Sequence, residues 1–152
     1  MTATPDHPHT GTAAPRHRPR LQPGHSNGPA ERAEDRAAAI AAKLAAAFAG
    51  ESVRTLEALA AVEANRPRTR RRIDPAMAAR NLDPARLRQC RRIARRALAG
   101  TLSTEAATAV AYHRDSAQPA WTQGRETVAE VDGFVFYGPS ASAERARGGA
   151  IR

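Results

Sequence analysis

A glycine–glutamate pair, Gly50-Glu51, separates two neighbouring runs of sequence that both have the periodicity of an α-helix. In the alanine-rich run before the pair, Ile40, Leu44 and Phe48 recur at four-residue steps, which places them on one face of a helix. The run after the pair has its own inward-facing apolar residues. Two helices joined by a short connection are therefore predicted, and Gly50 is expected to end the first of them.

The first helix is predicted over residues 30–49 and the second over residues 52–65. Acidic residues in the first turns of the first helix suit the positive end of its dipole. The second helix is expected to end before Pro67, because the residue that precedes a proline avoids helical backbone angles.

A third helix, predicted over residues 83–100, has the clearest end signals of the chain. Asp83 is suited to the N-cap, Pro84 to the first helical position and Gly100 to the position after the last turn. Cys90 falls on the apolar face of this helix and is predicted to be a small buried residue. It is the only cysteine, so neither an internal disulfide nor a cysteine-based metal site is expected.

A β-hairpin is predicted after the helices. Residues 127–131 and 134–137 favour strands, and the Asp132-Gly133 pair between them is a strong signal for a tight turn. Residues 101–118 are predicted to be less regular. Three helices and a C-terminal hairpin make a small α+β domain that is mainly helical.

Composition limits the folded part of the chain to one domain. Of the 152 residues, 41% are hydrophobic, many of them alanine, and 4% are aromatic, so a thin core is expected within residues 30–138. Residues 1–29 have almost no large apolar side chains and are predicted to be a disordered basic tail. Residues 139–152 are predicted to be a flexible tail. The histidines of the N-terminal tail fit no common spacing of metal ligands, and neither a metal nor another cofactor is expected.

The formal net charge of +9 comes almost entirely from arginine, since Lys43 is the only lysine. Such a charge implies attraction to polyanions such as nucleic acid, anionic cell-wall polymers or acidic lipid. A composition rich in arginine and alanine is also what a high-GC genome produces, which weakens the charge as support for nucleic-acid binding. The basic stretch 66–72 is interpreted as a solvated connection in preference to a specific anion site.

Five stretches of the chain carry motifs that follow one another in a set order. They are GESVRTLEALAAVEANR (50–66), RRIARRALAG (91–100), TAVAYHRD (108–115), PAW (119–121) and VDGFVFY (131–137). In this order they resemble the SleB-type cell wall hydrolases, the group that includes the spore-cortex-lytic enzymes. That family has a Gly-Glu pair at a helix junction, a helix that ends in Asn-Arg, and a basic helix that ends in A-L-x-G. A GATHYH-like segment, a P-x-W and a terminal hairpin with Phe-Tyr follow.

The resemblance implies a lysozyme-like α+β fold and cleavage of the glycan strands of peptidoglycan by one essential glutamate, which corresponds to Glu51. Breaking a glycosidic bond requires a carboxylic acid that protonates the departing oxygen. A carboxyl group held among apolar groups can remain protonated for this purpose. If the sugar's own 6-hydroxyl then attacks, an anhydro product forms and no second carboxylate is needed.

Two other interpretations of the carboxylates stay open. Glu51 can instead be a helix-start residue that stabilises the dipole of the second helix. Glu57 and Glu63 lie on the same predicted helix as rival acids, and nothing in the sequence marks either of them as buried.

Three side chains are candidates for holding the sugar: Tyr112, His113 and Trp121. Aromatic rings stack on sugar faces, and phenol or imidazole groups form hydrogen bonds with hydroxyls. Packing against the hairpin is an equally good interpretation of Trp121. Asn65 and Arg66, the Asn-Arg of the motif, are interpreted as structural residues that cap the helix end or brace the following loop.

The chain also departs from the family pattern. It has no Q-F-S-x-W segment between the second and third helices, and Val135 stands where the hairpin of the family has histidine. A relative that binds peptidoglycan without cleaving it is therefore an alternative function, and a small basic nucleic-acid-binding protein is a more distant one. No base-reading motif is present, so no specific nucleic-acid partner is expected.

Neither a signal peptide nor a membrane span is predicted. The N-terminal residues contain no apolar segment of the kind that signal peptides have. The apolar run 37–49 is interrupted by Lys43 and is too short to cross a bilayer. The protein is expected to stay in the cytoplasm until lysis or a holin-like route releases it to the cell wall.

Overall fold

The computed structural model of the chain describes residues 28–67 and 79–140. In these residues three α-helices come first and a three-stranded antiparallel sheet follows. The domain is α+β and mainly helical, as predicted. Its elements in chain order are α1 (Pro29–Ala47), α2 (Val53–Asn65), α3 (Pro84–Leu98), β1 (Ala111–Arg114), β2 (Thr127–Val131) and β3 (Phe134–Tyr137).

Alanines allow the three helices to pack closely. Each helix contributes at least one fully buried alanine to the core, among them Ala41, Ala60 and Ala94. Larger side chains such as Leu44 and Leu59 are also fully buried and fill the space between the helices. Burial of a leucine side chain contributes about 1.5–3 kcal/mol, so a few such residues offset the small contribution of each alanine.

The predicted apolar stripe of α1 is present, but the helix ends earlier than expected. Ile40 and Leu44 are buried, and Phe48 packs partly buried against the core. The helix ends at Ala47, because Phe48 leaves the helical conformation and its ring turns toward aromatic residues of the sheet. Gly50 therefore lies beyond the helix end and does not itself stop the helix.

The start of α2 is capped by Ser52, whose Oγ accepts a hydrogen bond from the backbone N–H of Thr55 at 3.1 Å. Such a cap satisfies one of the N–H groups that a helix start leaves without a partner, and is worth about 1 kcal/mol. Glu51 comes directly before this cap, so it lies in the connection and not in the helix.

The end signals of α3 are confirmed. Asp83 accepts hydrogen bonds from two backbone N–H groups of the first turn at 3.2 and 2.9 Å, and Pro84 is the first helical residue. Gly100 follows the helix with φ 68°, the left-handed conformation that favours glycine. Cys90 is fully buried, as predicted, and its burial raises the pKa of the thiol.

The predicted hairpin is also confirmed. Strands β2 and β3 pair antiparallel, and the turn between them has φ 46° at Asp132 and φ 78° at Gly133. Two successive positive φ angles are typical of a type I′ turn, which matches the right-handed twist of the strands it joins.

The sheet has a third strand that the sequence analysis did not predict. Strand β1, within the stretch expected to be less regular, pairs antiparallel with β3, and the strand order is β1-β3-β2. Its register places Tyr112 opposite Phe136 and His113 opposite Val135. Because β3 lies between the other two strands, β1 is an edge strand.

Successive side chains of a strand point to opposite faces, so the sheet has two distinct surfaces. Phe134 and Phe136 face the helices and belong to the core. Tyr112 lies on this inner face as well, because it is paired with Phe136. His113 and Tyr137 lie on the other side of the sheet, called the outer face below.

No helix in residues 28–67 or 79–140 is both long and apolar enough to cross a membrane. The two predicted tails lie outside the described residues, except for residues 28–29 and 139–140. The basic stretch beyond Pro67 lies outside them too.

Candidate functional site

Glu51 lies in the connection between α1 and α2, and its backbone is held at both ends. Its N–H donates to the carbonyl of Phe48 at 3.2 Å. The guanidinium of Arg86, from α3, donates from one nitrogen to the carbonyls of Glu51 and Phe48 at 2.6 and 3.1 Å. The connection between α1 and α2 is therefore fixed by the third helix, α3.

The carboxylate of Glu51 points to the place where the helices meet the sheet. Its side chain is 19% exposed, and Oε1 accepts a hydrogen bond from Nη2 of Arg114 at 2.7 Å. Arg114 is the last residue of β1; its side chain is 56% exposed, and its guanidinium carbon lies 4.6 Å from the centre of the Phe134 ring. Glu51 is thus partly enclosed, with one cationic partner that can move into solvent.

The two rival carboxylates of α2 are both held by cations. Glu63 is the more enclosed, at 13% exposure, and its Oε1 accepts from Nζ of Lys43 at 2.6 Å and from Nη1 of Arg66 at 2.9 Å. Glu57 accepts from Nη1 of Arg96 at 3.1 Å. The sequence does contain a signal for the burial of Glu63, because it lies four residues after the inward-facing Leu59.

Tyr112 is a core contact beneath the sheet. Its ring packs edge-on against Phe48 and Phe134, with ring centres 6.0 and 6.1 Å apart, and the guanidinium of Arg66 lies 5.2 Å from its centre. Burial raises the pKa of the phenol, and the negative charge of Glu63 raises it further. Tyr112 is connected to the Glu51 region through Phe48, whose carbonyl accepts from the N–H of Glu51.

His113 and Trp121 come together on the outer face, where Tyr137 contacts both. The His113 ring stacks on Tyr137 at 5.4 Å between centres, and Nε2 lies 2.8 Å from the Tyr137 hydroxyl. The ring of Trp121 stands edge-on to both, at 5.6 Å from Tyr137 and 6.0 Å from His113. The three predicted sugar-binding residues are therefore divided: His113 and Trp121 share a surface, and Tyr112 lies on the opposite one.

The hydrogen bonds of His113 define its tautomer. Nδ1 lies 2.5 Å from the backbone carbonyl oxygen of Arg114, which can only accept, so Nδ1 carries the hydrogen. In the neutral ring Nε2 is then the acceptor, and the hydroxyl of Tyr137 donates to it. Tyr137 was not predicted as a site residue, although its position one residue after the inward-facing Phe136 places it on the outer face.

An open cavity of about 340 Å³ lies beside these rings. His113, Val135 and Tyr137 line its sheet side, and the one-turn 3₁₀-helix Ala120–Thr122 borders it. Apart from Pro119 and Ala120, the remaining lining is polar: Asp115, Gln118, Thr122, Gln123, Thr127 and Glu130.

Asn65 and Arg66 brace the segment that leads into β1. Nδ2 of Asn65 donates to the carbonyls of Ala107 and Ala109 at 2.8 and 2.9 Å. Nε of Arg66 donates to the carbonyl of Val110 at 3.1 Å. These bonds position β1, and with it Arg114, relative to α2.

A further carboxylate, Asp132, lies at the same end of α2 as Glu51. Its Oδ2 accepts from the hydroxyls of Ser52 and Thr55, both at 2.6 Å, and these two bonds lower the pKa of Asp132. The hairpin turn is thereby tied to the helix cap. The sequence around Asp132 indicates only a turn residue, because its two hydrogen-bond partners are about eighty residues away in the chain.

Within the residues that the structure describes, no three His, Cys, Asp or Glu side chains are grouped so that they could hold a metal ion. Comparison of the chain with family models, curated proteins and solved structures found no match.

Proposed function

We propose that this protein cleaves the glycan strands of peptidoglycan, as a glycosidase or lytic transglycosylase, with Glu51 as its general acid and base. The main structural support is the environment of the Glu51 carboxylate. The Glu51 carboxylate is partly enclosed at the junction of helices and sheet, on a connection that Arg86 holds in place. The SleB-like motifs also favour Glu51 as the catalytic residue, and they indicate peptidoglycan as the substrate.

The chemistry needs a single carboxyl group that acts twice. First, Glu51 donates its proton to the glycosidic oxygen, and the bond between this oxygen and the anomeric carbon breaks. The anomeric carbon is left with positive charge. Glu51, now a carboxylate, then accepts the proton of the 6-hydroxyl of the same sugar, whose oxygen bonds to the anomeric carbon. An anhydro sugar forms, and Glu51 is protonated again.

Arg114 fits this cycle as a positioning residue. It donates to Oε1 of the Glu51 carboxylate at 2.7 Å and so orients the group, while Oε2 is the oxygen that can carry the proton for the leaving group. Because the Arg114 side chain is 56% exposed, the ion pair is expected to contribute only about 0–1 kcal/mol to stability, and its part in the reaction is to position the carboxyl group.

The proposal is tested by zymography on purified peptidoglycan with the wild type, Glu51→Gln and Glu57→Gln. Loss of a general acid and base lowers the rate by about 100- to 10,000-fold, so Glu51→Gln should leave no visible clearing. Glu57→Gln is the matched control on the same helix and should clear as the wild type does. Equal clearing by the wild type and Glu51→Gln, or clearing by none of the proteins, would contradict the catalytic role of Glu51.

A second candidate function is binding of peptidoglycan without cleavage. The ion pair between Glu51 and Arg114 favours it, because a carboxylate held by a cation is not ready to donate a proton. Under this alternative, the protein sediments with insoluble sacculi and releases no muropeptides. Release of muropeptides by the wild type would exclude it.

A further inference from the structure

Arg86 binds both ends of the turn that carries Glu51. The N–H of Glu51 donates to the carbonyl of Phe48 at 3.2 Å, which closes a turn over residues 48–51. Nη2 of Arg86 donates to the carbonyls of Phe48 and Glu51 at 3.1 and 2.6 Å. Because the N–H and the carbonyl of Glu51 are both bound, the direction in which its side chain leaves the backbone is fixed.

The charge of Arg86 has no carboxylate partner at this turn. Besides the two carbonyls, its guanidinium donates from Nη1 to Oε1 of Gln89 at 3.0 Å, so these three hydrogen bonds all go to neutral acceptors. In contrast, Arg91, Arg95 and Arg96 of the same helix bind carboxylates. A cation that is partly buried without an anion costs free energy.

Two further features of Arg86 are unfavourable for the stability of the fold. Arg86 is the third residue of α3, so its charge lies near the positive end of the helix dipole, where anions are favoured. Its Nε is buried and has no hydrogen-bond partner among the described residues, which is also costly for a donor. Residues that break local rules in this way are typical of functional sites.

We infer that Arg86 is a positioning residue, which orients Glu51 by binding its backbone, as Arg114 orients it by binding its carboxylate. The two arginines come from different elements, α3 and β1, and bind different parts of the same residue. A misplacement of about 1 Å can lower a catalytic rate by about 100-fold, so the backbone has to be held as well as the side chain. The part of Arg86 in cleavage rests on the proposed function, whereas its hold on Glu51 does not.

Amide hydrogen exchange, followed by NMR, tests the hold on Glu51 without a substrate. Arg86→Met keeps an apolar stem and removes every side-chain donor. The Glu51 amide is expected to exchange at least about 10-fold faster in this variant, because the turn that protects it opens more often. The amide of Leu59, a fully buried residue of α2, should exchange at the wild-type rate. Arg88→Met, which changes an exposed arginine of α3, is the matched control and should alter neither amide.

The pattern of exchange also shows whether Arg86 only stabilises the fold. Faster exchange of the Glu51 and Leu59 amides by the same factor would indicate a general loss of stability and would overturn the positioning role. An unchanged rate at the Glu51 amide would overturn it too.

Kinetics of peptidoglycan clearing test the part of Arg86 in the reaction. Arg86→Met is expected to lower kcat by about 10- to 100-fold with little change in KM, because the lost hydrogen bonds do not touch the substrate. Arg86→Lys keeps a charged donor and should recover part of kcat.

Glu51→Gln separates this role from the proposed function. Clearing by Arg86→Met at the wild-type rate, with none by Glu51→Gln, would exclude Arg86 and keep Glu51 as the catalytic residue. Absence of clearing by the wild type would contradict the proposed function and the part of Arg86 in it. The exchange rate of the Glu51 amide would still decide whether Arg86 holds that residue in place.

Discussion

The contact between Arg114 and Glu51 is the main difference between the surroundings of Glu51 expected from the sequence and those in the structure. From the sequence, Glu51 was expected among apolar groups, and its contact with a guanidinium was not foreseen. The two residues are 63 positions apart and meet only because Arg114 is the last residue of a strand that the sequence did not predict. The candidate acid was predictable from its motif, whereas its partner depends on tertiary structure.

Substitution of Arg114 tests whether it positions Glu51. Arg114→Ala is expected to lower the rate of peptidoglycan clearing by about 10- to 100-fold, since a small misplacement of a catalytic group has effects of that size. Arg114→Lys should retain more activity, because it keeps the charge but loses the planar geometry of the guanidinium. The melting temperature of either variant should differ little from that of the wild type, because an exposed ion pair contributes little to stability. Faster clearing by Arg114→Ala would contradict this role and would identify Arg114 as an inhibitor of Glu51.

Asp132 gives a pH-dependent prediction. Its pKa is lowered because the hydroxyls of Ser52 and Thr55 donate to its carboxylate. A carboxyl group whose pKa is lower in the folded than in the unfolded protein stabilises the fold above its unfolded value of about 3.9. That contribution is lost as the pH falls through the folded pKa.

Asp132→Asn is therefore expected to lower the melting temperature near neutral pH, with a difference from the wild type that narrows as the pH falls below about 4. Asparagine tolerates the positive φ of this position, so the turn itself is preserved. Thermal unfolding of both proteins followed by circular dichroism across this range is the measurement. A difference that stays constant down to low pH would show that the carboxylate charge is not responsible.

Among the secondary-structure elements, those with local signals were predicted well. The cap and proline of α3 and the Asp-Gly turn of the hairpin are each decided within a few residues, and the structure confirms them. Strand β1 has only four residues and is stabilised by pairing with β3, so little in its own sequence marks it. Because β1 was not predicted, the sequence did not show that the side chains of Tyr112 and His113 lie on opposite faces of a sheet.

Two glycines allow a matched test of these elements. Gly133 has φ 78° in the hairpin turn, and a Cβ atom there would meet no atom within 4 Å, so only backbone strain opposes a substitution. Gly133→Ala is expected to destabilise the fold by about 1–2 kcal/mol. Gly50 has the same open surroundings but no positive φ, so Gly50→Ala should be neutral or stabilise by about 0.4–1 kcal/mol.

Chemical denaturation of the two variants checks this pair, with the wild type as reference. Similar decreases in the free energy of unfolding of both variants would show that position 50 also needs the conformational freedom of glycine. The connection between α1 and α2 would then be more constrained than the φ angle of Gly50 indicates.

At the scale of the whole molecule, most of the net charge of +9 belongs to residues outside the described ranges, because the described residues carry fourteen lysines and arginines against twelve acidic residues. Arg91 and Arg95 of α3 both bind Glu34 of α1, and Arg96 binds Glu57 of α2. The hydrogen bonds from Arg95 and Arg91 lower the pKa of Glu34 to about 2, so these pairs persist over most of the pH range. Much of the arginine on this helix is thus partly neutralised within the protein.

DNA binding is accordingly expected to be weak and non-specific. Association driven by counterion release falls steeply with salt, so a mobility shift seen at low salt should vanish near physiological ionic strength. Two duplexes of unrelated sequence should behave alike. A shift that persists at physiological salt, or that differs between the duplexes, would favour a nucleic-acid-binding function over the one proposed.

The most direct test of the account is the release of soluble muropeptides from purified sacculi, analysed by mass spectrometry. The wild type and Glu57→Gln are expected to release glycan fragments with a new anhydro or reducing end at the cleaved sugar, and Glu51→Gln is expected to release none. The same fragments from Glu51→Gln at the wild-type rate, or no fragments from the wild type, would contradict the assignment of Glu51 as the general acid and base.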